Sequence, residues 1–172
     1  MDAKQLEQRF LEAYELYSDA IFRYCFFRVY QKQDAEELTQ EAFIKTWNYL
    51  SEGKPIDNLR AFLYQVTRNL IIDRKRKERP SVSIEELFEA GIELEGPHQK
   101  NIQTILEQKE LLEQLDRLED EQKELLLLRF IQGYTPKEIA NLLQETPNVI
   151  SVRITRAKQA LHQLYVSPQQ TT

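Results

Sequence analysis

Arg153, Arg156 and Lys158 are the only charged side chains after Glu145, and they fall within six positions of one another in a chain of 172 residues. Cations with no acid beside them can neutralise phosphate oxygens, and a guanidinium does so with a bidentate fork. A second cluster, RNLIIDRKRKER from Arg68 to Arg79, sets six cations against two acids. The whole chain is acidic, with a net charge of −5 and a pI near 5.2. Two local basic faces therefore stand on an acidic background, and local potential decides whether a phosphate backbone is attracted at contact distance. A merely solvated face usually mixes charge signs, so the stretch after Glu145 points to a polyanion. A helical hairpin with a solvated basic face is the plainer reading of the same residues.

Other chemistries find little support. One cysteine and two histidines, His98 and His162, cannot furnish a zinc-type ligand set. Cys25 sits among aromatics in YCFFRVY, which suits a buried, inert thiol and rules out an internal disulfide. Four glycines form no phosphate-cradling loop, and no nucleophile–base pairing stands out, so neither an enzyme nor a cofactor is expected. No apolar run approaches the ~20 residues of a bilayer span, and MDAKQLEQRF does not read as a signal peptide. These features fit a cytoplasmic protein with no membrane insertion.

The elements that must position the basic clusters are all helical. Residues 6–30 place Phe10, Tyr14, Tyr17, Ile21 and Tyr24 at helical spacing, which predicts a packed core stripe. In DAEELTQEAFIKTWNYL, Asp34 with Glu37 three residues on predicts a capped helix start. Ala35, Leu38 and Ala42 share one face there, and Glu36, Gln40, Glu41 and Lys45 another. SEGKPIDN, Ser51 to Asn58, must be a loop, and helical periodicity resumes at Leu59 through Leu63, Val66 and Leu70. Beyond Pro80 an acidic stretch rich in Gly and Pro reads as a linker, and helical spacing returns from Ile105. The expectation is an all-α chain: a domain over 1–80, an acidic flexible linker over 81–104, and a domain over 105–172.

In the last domain, Thr135, Pro136 and Glu138 form a capping-box signature. Gln144 to Thr146 is short enough for a tight turn, and Thr146 with Pro147 predicts the start of a second helix. Ile150, Ile154, Ala157 and Leu161 give that helix its core side, leaving Asn148, Val149, Ser151, Val152, Arg153, Thr155 and Arg156 to the other faces. Two helices joined by a tight turn, the second presenting polar and basic groups, describe a helix-turn-helix.

LLLLRFIQGYTPKEIANLLQETPNVISVRITRAKQAL resembles the fourth region of the extracytoplasmic-function (ECF) sigma factors of bacterial RNA polymerase, within the sigma-70 family. DAEELTQEAFIKTW followed by AFLYQVTRNLIIDRKRK resembles their second region. The resemblance covers nearly the whole chain in the right order, and it implies a non-catalytic subunit that lends promoter recognition to core polymerase. It implies that Leu38, Thr39, Gln40, Phe43 and Trp47 meet the clamp helices of the largest polymerase subunit, and that the last domain meets the flap of the second-largest. Tyr64, Arg68, Asn69, Arg74, Lys75, Arg76 and Lys77 would face the minus-ten element, with the Ser51–Asn58 loop holding a flipped-out base. Read without the resemblance, Arg74–Lys77 is a solvated helix end favoured by the helix dipole, and Tyr64 is a core residue. Asn148, Val149, Ser151, Val152, Arg153, Thr155, Arg156 and Lys158 would lie on the minus-thirty-five element. The resemblance also leaves room for an inhibitory anti-sigma partner. Gln144 stands where the family commonly has Gly, a departure of small consequence if Gln144 keeps out of the left-handed region. A stand-alone helix-turn-helix regulator is the competing expectation, although it leaves the Asp34–Arg79 motifs without a role.

Overall fold

The computed structural model describes residues 2–77 and 109–166; the expected linker over 81–104 lies outside them, as does His98. The chain divides into two compact units, Met1–Gln99 and Lys100–Thr172, and the fold is all-α, with no strand among the described residues.

The first unit is three helices, α1 (Ala3–Val29), α2 (Lys32–Ser51) and α3 (Leu59–Lys77), each packed on the other two. Asp2 caps α1: its carboxylate accepts the Gln5 N–H at 2.8 Å, and the Gln5 side chain accepts the Asp2 N–H at 3.2 Å. The core is built from the second half of α1, where Ile21, Phe22, Tyr24, Cys25, Phe26 and Phe27 are all buried. Each large apolar side chain so enclosed contributes roughly 1.5–3 kcal/mol of transfer free energy. Leu38, Ala42, Leu63 and Ile71 close the core from α2 and α3. Buried hydroxyls are satisfied locally: Thr39, Thr46 and Thr67 each donate to the carbonyl four residues back, at 2.7, 2.8 and 2.7 Å. Tyr30 ends α1 at φ 55°, with its N–H on the Phe26 carbonyl at 2.7 Å and its side chain buried.

Two expectations for this unit need correction. The stripe from Phe10 to Tyr24 is core only at its C-terminal end. Tyr14 is 48% exposed, and Phe10 and Tyr17 are half-buried: they lie at the margin of the core, Phe10 and Tyr14 against Phe43 of α2 and Tyr17 beside Arg60 of α3. Asp34 is not the cap of α2 either. That helix begins at Lys32 after Gln31, which makes no side-chain capping bond. The Asp34 carboxylate lies 3.0 Å from Arg74 of α3, and Glu37 lies 3.1 Å from the same guanidinium. A capping pattern in sequence here records a tie between helices.

The second unit has α4 (Lys109–Asp116), α5 (Asp120–Leu126), α6 (Pro136–Leu143) and α7 (Pro147–Val166). Between α5 and α6 the chain continues as a π-helical turn, Leu127–Ile131. Leu125, Leu126, Leu127 and Leu128 are all buried. At ~100° per residue four successive positions wrap most of a helix, so this segment is enclosed nearly all round. Beyond it the Gln132 N–H reaches back to the Leu127 carbonyl at 2.9 Å, widening the turn and bringing Phe130 out to 56% exposure. The Thr135 box forms as expected, with Glu138 N–H on Thr135 Oγ1 at 3.2 Å and Thr135 N–H on Glu138 Oε2 at 2.7 Å. Gln144, however, does enter the left-handed region at φ 57°. The turn needs it there, because both the Gln144 and Glu145 N–H groups close on the Ala140 carbonyl. A side chain in that conformation costs roughly 1–2 kcal/mol.

Candidate functional site

Three surfaces carry the residues singled out from the sequence. The first lies across α1 and α2. Phe10, Leu11 and Tyr14 face Gln40, Phe43, Ile44 and Trp47 around an open groove of about 540 Å³, with Glu7 at its edge. Its floor is aromatic: Phe10 packs edge-on to Trp47 at 5.0 Å and to Phe43 at 6.0 Å, and Tyr14 to Phe43 at 4.9 Å. Leu11 and Ile44 are 52% and 58% exposed, an uncommon position for paired aliphatics on a monomer. Of the five residues expected to meet a partner here, Gln40 is exposed and Trp47 half-buried. Leu38, Thr39 and Phe43 are buried; Phe43 lines the groove, whereas Leu38 and Thr39 are not among its lining residues. Leu11, Tyr14 and Ile44 were missed. Helical spacing marks apolar residues as core, and nothing in it says which of them stay at the open margin of a helix pair.

The second surface is the outward side of α3 with the loop before it. Arg68, Asn69, Lys75, Arg76 and Lys77 are exposed, as a face for a nucleic-acid strand would need. Tyr64 is different: it is fully buried, 5.6 Å from Tyr24 ring to ring, and has no surface on which a base could stack. The core reading of Tyr64 is the correct one. Arg74 is largely covered and committed to Asp34 and Glu37, so its place is between helices. In the loop, Gly53 takes φ 75° and leaves its surroundings open. Ile56 anchors the loop by burial, and its carbonyl accepts from Arg9 at 2.7 Å. Asn58 is occupied as the cap of α3, accepting the Ala61 N–H at 3.0 Å. Ser51 belongs to the last turn of α2, and the Glu52 and Gly53 N–H groups close on the Asn48 and Leu50 carbonyls, so the exposed residues Gly53 to Pro55 are what remains of the expected loop for a ligand.

The third surface is α7. Ile150, Ile154 and Ala157 are buried as expected, Leu161 is only half-buried, and Thr146 Oγ1 accepts the Val149 N–H at 3.3 Å. Asn148, Ser151, Val152, Thr155, Arg156 and Lys158 are exposed, and Val149 is half-buried. The Lys158 ammonium lies 6.0 Å from the Phe130 ring centroid, with the Arg129 guanidinium 5.7 Å from the same ring. Arg153 is half-buried and ion-paired with Glu121 and Glu145.

Elsewhere the chemistry is quiet. Burial pushes the Cys25 thiol up to about 12, which removes the thiolate at neutral pH. Among the described residues there is no grouping of His, Cys, Asp and Glu able to hold a metal ion. None of the described helices is long and apolar enough to cross a membrane.

Comparison with known families assigns both units. Sigma-70 region 2 matches residues 13–80, and Sigma-70, region 4 matches residues 108–161, between them well over half of the chain. The ECF RNA polymerase sigma factor BldN of Streptomyces coelicolor is 31% identical over 159 residues, covering 88% of this chain and 58% of that protein's length. The ECF RNA polymerase sigma factor SigW of Bacillus subtilis is 25% identical over 165 residues, covering 90% of this chain and 88% of the relative. Among solved structures, CnrH in complex with the cytosolic domain of CnrY matches with a TM-score of 0.69 at 19% identity, over 95% of this chain and 91% of that one. The sigma factor RpoE from Bartonella quintana, in complex with the anti-sigma factor NepR, gives 0.66 at 22% identity, over 94% and 99%. At these identities the two structures speak for the fold alone. The helix-turn-helix of the second unit and the three-helix first unit are thus regions 4 and 2 in their family order, and the chain belongs to the sigma-70 family as an RNA polymerase sigma factor of the ECF group.

Proposed function

We propose that the chain acts in the bacterial cytoplasm as a dissociable, non-catalytic subunit of RNA polymerase, with one task on each surface. The domain over 1–80 docks on the clamp helices of the largest subunit through the α1–α2 groove and offers Arg68, Asn69 and Lys75–Lys77 to the minus-ten strand. The stretch from Gly53 to Pro55, beyond the end of α2, is offered to an extruded base. The domain over 105–172 lays the Asn148–Ser151–Val152–Thr155 face of α7 on the minus-thirty-five element, with Arg156 on phosphate, and meets the flap of the second-largest subunit. Residues 81–104 join the two. An anti-sigma partner, of the kind that accompanies the sigma factor from Bartonella quintana, would regulate it by covering one of these faces.

The observation that carries this reading is the groove, which unites Gln40, Phe43 and Trp47 with exposed apolar residues of α1. A stand-alone DNA-binding regulator is not favoured, since it gives no account of the region 2 match. Ile44→Glu tests the assignment, because Ile44 is exposed and the fold does not depend on it. A charge in the groove should weaken capture of core polymerase about tenfold or more, while the isolated chain keeps its helical content. Undiminished capture by Ile44→Glu would place the polymerase contact elsewhere.

A further inference from the structure

Arg153 is held differently from the other polar residues of α7. Its Nη1 lies 3.0 Å from Glu121 Oε1 and 3.3 Å from Glu145 Oε1. Glu121 belongs to the first turn of α5, and Glu145 to the turn that joins α6 to α7. One side chain therefore links three parts of the second unit. Its place on the helix agrees: at ~100° per residue, Arg153 sits about 140° round α7 from Asn148 and only about 40° from buried Ala157. Asn148, Val152 and Thr155 centre the exposed face. Arg156, about 80° from Asn148, is exposed and makes no ion pair among the described residues.

We propose that Arg153 is a positioning residue, which fixes the angle of the recognition helix against α5 and the turn, while of the two arginines Arg156 is the one that holds the phosphate backbone. The proposal rests on α7 being the recognition helix. A guanidinium between two carboxylates already has its charge met. To reach a phosphate it would exchange two charge-assisted contacts for one, and would leave two unpaired anions beside a polyanion. The bridge also spans the strained corner: Gln144, next to Glu145, is one of two described non-glycine residues in the left-handed conformation, and Tyr30 of the first unit is the other. Holding Glu145 from α7 opposes any opening of that corner, so the direction in which α7 leaves the turn depends on Arg153.

The experiment uses holoenzyme assembled with the full chain, and duplexes carrying either the upstream promoter element or a scrambled version, across a salt series. Arg156→Ala should lower the slope of log affinity against log salt by about one counterion. Arg153→Ala should leave that slope unchanged and reduce discrimination between the two duplexes by about three- to tenfold. Glu145→Gln, nearly isosteric and readable even if Arg153→Ala unfolds, should lose discrimination in the same sense. The Arg153→Ala/Glu145→Gln double should be no worse than Arg153→Ala alone, because each change removes the same bridge. A slope loss in Arg153→Ala equal to that of Arg156→Ala, gained discrimination in Glu145→Gln, or additive effects in the double would overturn the proposal. Failure of the underlying reading looks different: wild-type holoenzyme would itself treat the two duplexes alike.

Discussion

The two units hold their shapes by different means. Region 2 is three helices of 27, 20 and 19 residues around a core rich in large rings, with Phe22, Tyr24, Phe26 and Tyr64 wholly enclosed. Region 4 sets three helices of 8, 7 and 8 residues beside one of 20, around a core mainly of leucines, isoleucines and alanines with Tyr134. Its geometry is set by backbone punctuation: the Thr135–Glu138 box, the Thr146 cap, the left-handed Gln144 and the π-helical turn. Long helices can be placed by burial alone, because many side chains vote on each interface. A short helix has few such votes, so the groups that start and stop it carry a larger share of its definition. The teaching is that a change in region 2 acts through volume, whereas a change in region 4 acts through φ, ψ and capping.

That contrast can be tested directly. Tyr64→Ala should have the largest effect, removing a fully buried ring for a loss of about 3–5 kcal/mol, on the scale of large aromatic truncations. Denaturant unfolding followed by near-ultraviolet circular dichroism should show the aromatic-rich unit melting early. An equal shift in region 4, followed by amide exchange in α6 and α7, would mean that the two units are one cooperative body. Thr135→Ala should cost region 4 about 1 kcal/mol by removing the acceptor of the Glu138 N–H. Its signature is a lowered midpoint for the second unit with region 2 unmoved. The smallest effect belongs to Gln144→Gly, which should raise the stability of region 4 by about 0.5–1 kcal/mol, as strain relief exceeds the added chain entropy. A lowered thermal midpoint in Gln144→Gly would show that the Gln144 side chain supplies more than its backbone costs.

Most of the architecture was legible in the chain because helix periodicity and caps are local signals. The Thr135 and Thr146 starts, the Ile150–Ile154–Ala157 face and the inert Cys25 all follow from neighbours a few positions apart. What escaped was everything that depends on distant residues. Asp34 and Glu37 look like a cap until Arg74, 40 positions on from Asp34, is brought to them. Tyr64 sits four residues before Arg68 on α3 and suggests a base-stacking partner, yet the ring turns inward to Tyr24. Arg153 and Arg156 are indistinguishable as letters, and only the positions of Glu121 and Glu145 separate them. The groove was hidden for the same reason, since Leu11 and Ile44 obey the apolar pattern while lying outside the enclosed core.

The one cysteine gives region 2 a clock of its own. Cys25 has no exposed surface, and its thiol stays protonated until about pH 12 in the folded state, so an alkylating reagent near pH 8 can react only when α1 comes away from α2 and α3. The labelling rate is then the intrinsic thiol rate scaled by the fraction of molecules open at any instant. Region 4 holds no thiol, so the measurement is silent about it. One reagent and one mass shift would time the breathing of the first unit, free or bound to a partner, without any engineered probe.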